Sequence, residues 1–521
     1  MNKFINSVVF MRSYDYFGKD EPENADTLAK YISFFNRYDL PATYMPEYDC
    51  LVKPGYAETI LNGKKSSDEV GLWFEVTGEL CRDAGVPWRS KRNRDWDFYV
   101  CPGFIMSYDE EEKKKLIDTA MAKMKALFGS YPKCAGAWLL DSFTMDYMTE
   151  TYGVSAYIIC REQWGMDGYT PWGGPYFGGY YPSKNNMLTP ASDMKNAVKA
   201  PVFRMYVSDP IYSYYEFSQG ELTGIDYGLF TQEPTWRYGQ SENWVKWIYE
   251  TLFGEKRDAF SYFQLGQETG FGFRPELEAA LTLQTEYALK NRERYGFEFV
   301  TVGEMGRRFM ESYKKTPDSF TPSPYDWADK GNASVWFNNE HYRINVYGQG
   351  KTSFIRDIHL FDDSYTERFK DAPCRSEWAV YDNLPVVDGV RFTPGCDERN
   401  IPFDNRGEGR KYGEPAGLYL DAELTGTDKL TRTVFFDGGA IALACEEDGI
   451  RLTGKKPFTL RFSHAEKLPY LTGSDSAGYT FSHRGFAYRM EVTRGRADND
   501  LIYADNNEII LKFHMMQNAD K

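Results

Sequence analysis

Residues 134–160 have the sequence CAGAWLLDSFTMDYMTETYGVSAYIIC. The pattern predicts a buried strand over Cys134–Leu140, a helix over Ser142–Tyr152 and a second strand over Ser155–Cys160. A short apolar run on each side of a helical segment is typical of a parallel βαβ unit. The fold class predicted from this stretch is α/β.

The same alternation extends outward over about the first 315 residues. Further strands are predicted at Ser7–Met11, Pro41–Met45, Val70–Val76, Val202–Val207, Tyr227–Thr231, Ala259–Phe263 and Phe297–Val302, with Asp97–Cys101 as another candidate. Further helices are predicted at Ala25–Tyr38, Tyr108–Phe128, Glu242–Phe253, Arg274–Tyr295 and Glu304–Tyr313. Seven or eight such units are enough to close a (β/α)7–8 barrel, which we favour over an open doubly wound sheet. No glycine-rich phosphate loop follows a predicted strand, which argues against nucleotide binding.

The pattern changes near Thr316. Residues 315–325, KTPDSFTPSPY, are rich in proline, and beyond them apolar and polar residues alternate between turn residues. This alternation predicts an antiparallel β-sandwich. We therefore predict a barrel domain over 1–315, a linker over 316–325 and a β-sandwich domain over 326–521. A chain of 521 residues is too long for one hydrophobic core.

The composition indicates which partners to expect. A net charge of −15 argues against a nucleic-acid partner, and no segment approaches the length of a membrane span. Aromatic residues make up 17% of the chain, which favours a carbohydrate substrate because sugar rings stack on aromatic rings, although aromatic-rich cores and β-sandwiches also occur. We expect a cytoplasmic protein, or a secreted or periplasmic one if a leader was removed. A homodimer is an open alternative to a monomer.

Candidate catalytic residues follow the predicted strands, since barrel enzymes place their active sites at the carboxyl ends of strands. The ionisable residues at these positions are Asp15, Glu47, Asp49, Glu75, Glu79, Asp141, Arg161, Glu162, Asp209, Glu233 and Glu268. Cleavage of a glycosidic bond needs two carboxyl groups. We predict Asp15 as the general acid and Asp141 as its partner, with Glu233 in reserve. For any one of them a helix cap or a salt bridge is the alternative.

Substrate-binding residues are predicted around the same end of the barrel. Arg161 and Arg204 interrupt or end apolar strands, so their partner is either an internal carboxylate or the acid group of a sugar. A loop at 164–186 rich in glycine and proline offers Trp164, Trp172 and Tyr180 as predicted stacking surfaces, and Trp138 is a further predicted substrate-binding residue. For this loop, a rigid aromatic loop without function is the alternative. Asp209, Gln267, Glu268 and Asn338 complete the predicted set.

Histidine limits the chemistry of the predicted barrel. All five histidines, His341, His359, His464, His483 and His514, lie in the C-terminal half. A metal centre built on imidazole and a Ser-His-Asp triad are therefore excluded from the barrel. We predict no metal and no other cofactor.

Four segments resemble the glycoside hydrolase and polysaccharide deacetylase superfamily of irregular (β/α) barrels. They are RSYD (12–15), LPATYMP (40–46), FGSYPKCAGAWLLD (128–141) and YGVSAY (152–157). The resemblance covers about 315 residues and implies a carbohydrate-active enzyme; the metal-binding histidines of the deacetylases have no counterpart.

Within this group the chain distantly resembles the inverting sialidases, with Asp15 and Arg204 matching their aspartate and arginine. It also resembles gut-bacterial proteins with the same two-part layout. The sialidases have a barrel histidine where this chain has Asp141-Ser142-Phe143. We therefore predict a glycoside hydrolase that acts on a terminal sugar, with sialic or uronic acid as candidates. The alternatives are a non-catalytic carbohydrate-binding protein and a deacetylase-like enzyme.

Overall fold

The computed structural model describes residues 2–14, 23–163, 168–207, 209–213, 237–254, 260–392 and 414–516. Its N-terminal part contains β1 (Asn2–Met11), α1 (Glu23–Arg37), β2 (Ala42–Pro46), α2 (Tyr48–Val52), α3 (Tyr56–Gly63), β3 (Glu69–Val70), β4 (Leu72–Trp73), α4 (Gly78–Ala84), α5 (Val100–Gly103), α6 (Glu110–Phe128), β5 (Cys134–Ala137), α7 (Ser142–Tyr152), β6 (Ala156–Cys160), β7 (Tyr169–Trp172), β8 (Gly179–Tyr180), β9 (Pro182–Ser183), β10 (Asn186–Pro190), β11 (Val202–Met205), α8 (Glu242–Phe253), β12 (Phe260–Glu268), α9 (Pro275–Tyr295), β13 (Glu298–Phe299) and α10 (Val302–Ser312). No helix in the described ranges is long and apolar enough to cross a membrane.

Helix α6 begins two residues after its predicted start and ends at its predicted last residue, and its caps show why. The Asp109 side chain accepts a hydrogen bond from the Glu112 backbone N–H at 3.0 Å, and the Glu112 side chain accepts one in return from the Asp109 backbone N–H. This reciprocal cap satisfies backbone donors that the helix itself leaves free. Gly129 ends the helix with a left-handed φ of 80°, a conformation that costs glycine little.

The parallel strands form one continuous series. Strands β12, β1, β2 and β3 are neighbours in one sheet, and β4, β5, β6 and β11 are neighbours in a second. Gly71 joins the two sheets, because it lies between β3 and β4 and donates its N–H to the Tyr44 carbonyl. A side chain at this position would meet Cys134 Sγ at 2.5 Å, so the close approach requires glycine.

The two ends of this series meet through side chains. Phe203 of β11 packs on Phe260 of β12 with ring centroids 5.7 Å apart, and the Tyr262 hydroxyl donates to the Arg204 carbonyl at 2.7 Å. No backbone ladder joins β11 to β12 within the described ranges. The parallel α/β arrangement predicted from the sequence is thus confirmed, whereas closure into a (β/α)7–8 barrel remains a prediction.

The C-terminal part is antiparallel, as predicted. Its strands are β14 (Ser319–Ser323), β15 (Asn332–Asn338), β16 (Tyr342–Gln349), β17 (Thr352–Leu360), β18 (Ala379–Asp382), β19 (Leu384–Asp388), β20 (Gly417–Leu420), β21 (Leu424–Asp428), β22 (Thr433–Phe436), β23 (Ile441–Cys445), β24 (Gly449–Gly454), β25 (Thr459–Ser463), β26 (Leu471–Asp475), β27 (Gly478–His483), β28 (Phe486–Arg494), β29 (Arg496–Asp498), β30 (Leu501–Tyr503) and β31 (Glu508–Met515). Most form two large antiparallel sheets, of nine and of eight described strands, that share one buried apolar cluster.

Strand β14 lies within the predicted linker, and its Pro322 is tolerated because β14 is at the edge of the sheet in the described ranges, where it pairs with β15. Two local predictions are wrong. The loop predicted over 164–186 contains β7, which pairs in parallel with β18 of the C-terminal part. The candidate strand Asp97–Cys101 instead leads into α5, since the Asp97 carboxylate turns back to Arg94 at 2.7 Å. The predicted strand at 227–231 and Trp164 lie outside the described residues. The predicted domain boundaries remain a prediction.

Candidate functional site

A buried cluster of charged residues lies at the carboxyl ends of the parallel strands. It consists of Arg12, which follows β1; Glu47, which follows β2; Glu75, which follows β4; and Glu268, the last residue of β12. Nη2 of Arg12 lies 3.4 Å from Oε1 of Glu75, and Nη1 of Arg12 forms an ion pair with Glu268. One guanidinium therefore holds two carboxylates that come from different strands. We call these four residues the Arg12 cluster.

The strand register explains why these side chains meet. Phe10 of β1 is paired with Glu268 of β12 on one side and with Met45 of β2 on the other. Because side chains alternate along a strand, Arg12 lies on the same face as Phe10, and Glu47 on the same face as Met45. Parallel neighbours end at the same edge, so their last side chains converge there.

Indole groups fix the position of Glu75. Its Oε1 accepts a hydrogen bond from Trp73 Nε1 at 2.9 Å, and its Oε2 accepts one from Trp96 Nε1 at 3.0 Å. The Arg12 guanidinium lies 4.7 Å from the centre of the Trp96 ring, within the range of a cation–π contact. Glu75 thus has donors on both oxygens and is held in one orientation.

Glu47 differs from its neighbours because its carboxyl group is fully buried and neither oxygen has a hydrogen-bond partner among the described residues. Burial raises the pKa of Glu47 well above its ordinary value, the negative charges of Asp49 and Glu75 raise it further, and Arg12 opposes them. Asp49 is held by Ser13, whose N–H and hydroxyl donate to Oδ2 at 2.7 and 2.5 Å. Glu47 therefore keeps its proton to a higher pH than an ordinary glutamate does.

Aromatic rings lie beside the cluster. Phe10 stacks on Trp73 with centroids 4.0 Å apart, and Trp138 contacts both rings edge-on at 5.4 and 5.6 Å. Tyr206 lies 6.2 Å from Phe10 on its other side. Trp138 is the partly exposed member of this group. An exposed indole beside buried carboxyl groups is an arrangement suited to a sugar ring.

The structure gives the predicted catalytic residues different outcomes. Asp15 and Glu233 lie outside the described residues. Asp141 caps α7, accepting from the Thr144 backbone N–H at 2.8 Å, and it pairs with Lys113 at 2.5 Å. Although burial opposes it, Lys113 lowers the pKa of Asp141. No described contact joins Asp141 to the Arg12 cluster. The contacts of Asp141 match the alternative interpretation of the sequence, which is a helix cap.

The two predicted arginines have internal partners. Arg204 donates to the carbonyls of Cys160 at 2.6 Å and Gly173 at 2.8 Å, and its Nη2 lies 3.9 Å from Glu162 Oε1. Arg161 donates to the carbonyl of Tyr176. These acceptors are the internal partners that the sequence left open as the alternative to a sugar acid.

The other predicted binding residues divide into two groups. Trp138 and Glu268 belong to the candidate site, whereas Trp172 and Gln267 are completely buried. Asn338 reaches from β15 to the N-terminal part, where its Oδ1 accepts from the backbone N–H groups of residues 176 and 177 at 3.2 and 3.4 Å. Through these contacts Asn338 holds the backbone at residues 176 and 177 in place.

Asp209 is buried after β11 and is held by four donors. They are the backbone N–H groups of Ile211 at 2.9 Å and Tyr212 at 2.8 Å and the indoles of Trp244 at 3.2 Å and Trp327 at 3.0 Å. Burial raises the pKa of Asp209 to about 6, while these hydrogen bonds oppose the shift. Asp209 thus joins the end of β11 to α8 and to the segment around residue 327.

The cluster does not fit a metal ion. The Arg12 guanidinium pairs with both Glu75 and Glu268. It therefore occupies the position that a metal ion would need in order to bind these two carboxylates. Within the described ranges, no group of three or more His, Cys, Asp or Glu side chains is arranged to hold a metal. We therefore derive no chemical step through a metal.

The sequence predicts Glu268 as a binding residue. It does not predict Arg12, Glu47 or Glu75 as the catalytic pair. Glu47 and Glu75 were among the strand-end carboxylates, without a feature that ranked them. The available signal for Arg12 was a cation directly after the apolar strand β1, the same kind of signal that drew attention to Arg204.

Comparison with known proteins identifies the class of fold. No protein-family model matches the chain, and no curated protein matches it. Among solved structures, a glycoside hydrolase/deacetylase candidate from Parabacteroides distasonis is similar, with 13% identity, a TM-score of 0.57, and coverage of 78% of this chain and 93% of that chain. The chain thus shares the fold of that structure over most of its length.

Two further solved structures are more remote. A polysaccharide deacetylase candidate from Mycobacterium smegmatis has 13% identity and a TM-score of 0.35, covering 61% of this chain and 92% of that chain. Another from Pseudomonas aeruginosa PAO1 has 14% identity and a TM-score of 0.33, covering 60% and 92%.

Proposed function

We propose that this protein is a carbohydrate-processing hydrolase that cleaves a glycosidic bond at the Arg12 cluster. The observation that carries the proposal is the setting of Glu47, a buried carboxyl group with a raised pKa beside Glu75 and Glu268, the two carboxyl groups that pair with Arg12. A proton donor of raised pKa and a second carboxyl group are the usual pair in glycoside hydrolysis.

The roles follow from the contacts. Glu47 donates its proton to the leaving glycosidic oxygen. Glu268, paired with Arg12, either activates the water that attacks the anomeric carbon or attacks that carbon itself to form a glycosyl-enzyme that water then hydrolyses. Glu75 has both oxygens engaged by indoles and Arg12, so it is a positioning residue, and Arg12 is another. Trp138 offers its partly exposed ring to the sugar.

The substrate in this proposal is a neutral sugar. An acidic sugar would need an arginine fork turned to the substrate. In the described structure Arg204 donates hydrogen bonds to two carbonyl oxygens and lies near Glu162. Arg161 donates to the carbonyl of Tyr176. Arg343 of β16 takes the same Glu162 oxygen at 2.5 Å. The sialic or uronic acid hypothesis therefore draws no support from these arginines.

Deacetylation is the second candidate, and the fold favours it as much as glycoside hydrolysis, because the similar Parabacteroides distasonis structure carries both descriptions. The two reactions release different products, acetate in one case and a reducing sugar in the other. A deacetylase that works through a bound metal would also lose activity in EDTA, whereas a carboxylate-based glycosidase would keep it.

The experiment is a panel of aryl glycosides of neutral and acidic sugars, together with acetylated sugars, tested on the wild type and on E47Q. We expect turnover of a neutral glycoside and a loss of about 10²–10⁴-fold in kcat in E47Q, since glutamine cannot donate the proton.

E367Q is the matched control. Glu367 is also buried, its pKa is raised to about 7, chiefly by burial, and it accepts from the Ser142 and Met187 N–H groups away from the cluster. E367Q should keep near-wild-type kcat. An E47Q enzyme as active as E367Q would overturn the assignment of Glu47. Acetate release without glycoside cleavage would replace the glycosidase by the deacetylase, and no turnover at all would favour the binding protein.

A further inference from the structure

A sugar-sized groove lies outside the Arg12 cluster. It is a groove of about 520 Å³ between α8, α9 and the segment that follows β14. This volume falls within the roughly 300–1,000 Å³ typical of ligand sites. Five of its side chains are aromatic, namely Trp247, Tyr287, Tyr295, Tyr325 and Trp327, and the rest are polar or charged.

Tyr325 presents its ring to solvent from an anchored backbone. The residue is 55% exposed, and its hydroxyl has no hydrogen-bond partner in the part of the chain that the structure describes. Pro322 and Pro324 precede it and restrict the backbone. The Tyr325 carbonyl accepts from Trp247 Nε1 at 2.6 Å, which ties the segment to α8.

The turn after Tyr325 is equally rigid. The Asp326 carboxylate accepts from the Tyr212 hydroxyl at 2.7 Å and from the backbone N–H groups of Ala328 at 2.9 Å and Asn332 at 2.7 Å. Trp327 Nε1 donates to Asp209 at 3.0 Å, which fixes the plane of that indole. A site held by such contacts loses little freedom when a ligand binds.

Hydrogen-bonding groups are available at the rim. Asn243 and Asp329 line the groove, and their side chains have no partner within the described ranges. Glu250 accepts from Arg294 and from the Tyr295 hydroxyl, each at 3.1 Å. The lining carries two positive groups, Lys246 and Arg294, and three negative ones, Glu250, Asp326 and Asp329.

We propose that this groove binds a neutral saccharide chain, with Tyr325 as the stacking surface. An exposed aromatic ring on an anchored segment, beside uncommitted amide, hydroxyl and carboxylate groups, matches the alternating apolar faces and hydroxyls of a sugar chain. The slight excess of negative charge disfavours a polyanion. The carbohydrate class rests on the proposed function, but binding at the groove is measured separately from catalysis.

The test is affinity electrophoresis and calorimetry with xylan, laminarin and polygalacturonate on E47Q, which binds without turnover. Relative to E47Q, we expect E47Q/Y325A to bind the neutral polysaccharide about five- to tenfold more weakly. The alanine keeps the backbone carbonyl that Trp247 needs. E47Q/Y503A is the matched control, because Tyr503 of β30 is also partly exposed, at 37%, but lies in the C-terminal sheets.

Equal binding by the Tyr325 and Tyr503 variants would overturn the groove, as would failure of every probe to bind. Tighter binding of polygalacturonate than of xylan and laminarin would overturn the neutral class. The two proposals fail separately. Loss of binding in Y325A together with full activity in E47Q retains the groove and removes the catalytic assignment. Loss of activity in E47Q with no effect of Y325A on binding retains the catalytic assignment and removes the groove.

Discussion

Arg12 and Glu75 form an ion pair across the carboxyl ends of β1 and β4, with Nη2 3.4 Å from Oε1 and with 8% and 2% of their side chains exposed. Charges buried to this degree are costly unless they are paired. Here the second partner of Arg12 is Glu268, so one guanidinium compensates two carboxylates. The third carboxyl group, Glu47, has a pKa that burial and the charges of Asp49 and Glu75 raise, so the cluster is sensitive to any change of charge.

Removing the cation should destabilise the protein. In R12M we expect the free energy of unfolding to fall by about 3–5 kcal/mol, because Glu75 and Glu268 remain buried without a counter-charge. Urea denaturation at neutral pH measures the change. R12K retains the charge and should lose less. Wild-type stability in R12M would mean that the two carboxylates do not depend on Arg12.

The raised pKa of Glu47 predicts opposite effects of E47Q on activity and on stability. The folded state favours protonated Glu47, so this group lowers the stability as the pH rises from the ordinary glutamate pKa through the raised value. Glutamine mimics the protonated form at every pH. E47Q should therefore be inactive yet melt at a higher temperature than the wild type above that range. A melting temperature that falls would contradict the protonated state.

The same residue sets the alkaline limit of activity. Because Glu47 acts as the proton donor, kcat/KM should fall as the pH rises through its raised pKa rather than near the ordinary value of a glutamate. A pH–rate profile of the wild type measures this limb. Substitution of Asp49 by Asn removes one of the negative charges that raise the pKa, so the limb should move to lower pH in D49N.

Asp141 should prove structural. D141N loses the ion pair with buried Lys113 and weakens the cap of α7, so we expect a loss of about 3–5 kcal/mol in unfolding free energy. The kcat of the folded fraction should stay close to wild type. K113M/D141N removes both charges and should be less destabilised than D141N alone. A large fall in kcat without a change in stability would restore the catalytic role predicted from the sequence.

His359 makes the stability of the C-terminal part depend on pH. Burial lowers its pKa, but Asp357, 3.1 Å away, and Asp388, 3.4 Å away, raise it more, so the net shift is upward. The resulting stabilisation is complete below the ordinary histidine pKa of about 6.5 and is lost as the pH rises through the folded value. Unfolding free energies measured from pH 6 upward should fall, and H359Q should flatten this dependence.

Local pattern alone predicted much of the secondary structure. Helices α7 and α8 begin and end at the predicted residues, and the antiparallel C-terminal part follows from its alternating pattern. These features depend on neighbours within about one turn of helix or two residues of strand, which is the range that periodicity and capping report. The strand-end position of Glu47, Glu75 and Glu268 was visible for the same reason.

What only the tertiary structure decided is which strand-end residues converge. Arg12 meets Glu75 and Glu268 because β12, β1 and β2 are adjacent in register and Gly71 passes the chain to the next sheet. Asp141 turns instead to Lys113 of α6. Contacts between residues as far apart as 12 and 268 arise from the packing of whole strands, and no local pattern encodes them. The sequence by itself determined the elements and their order, and the assembled sheets determined the site.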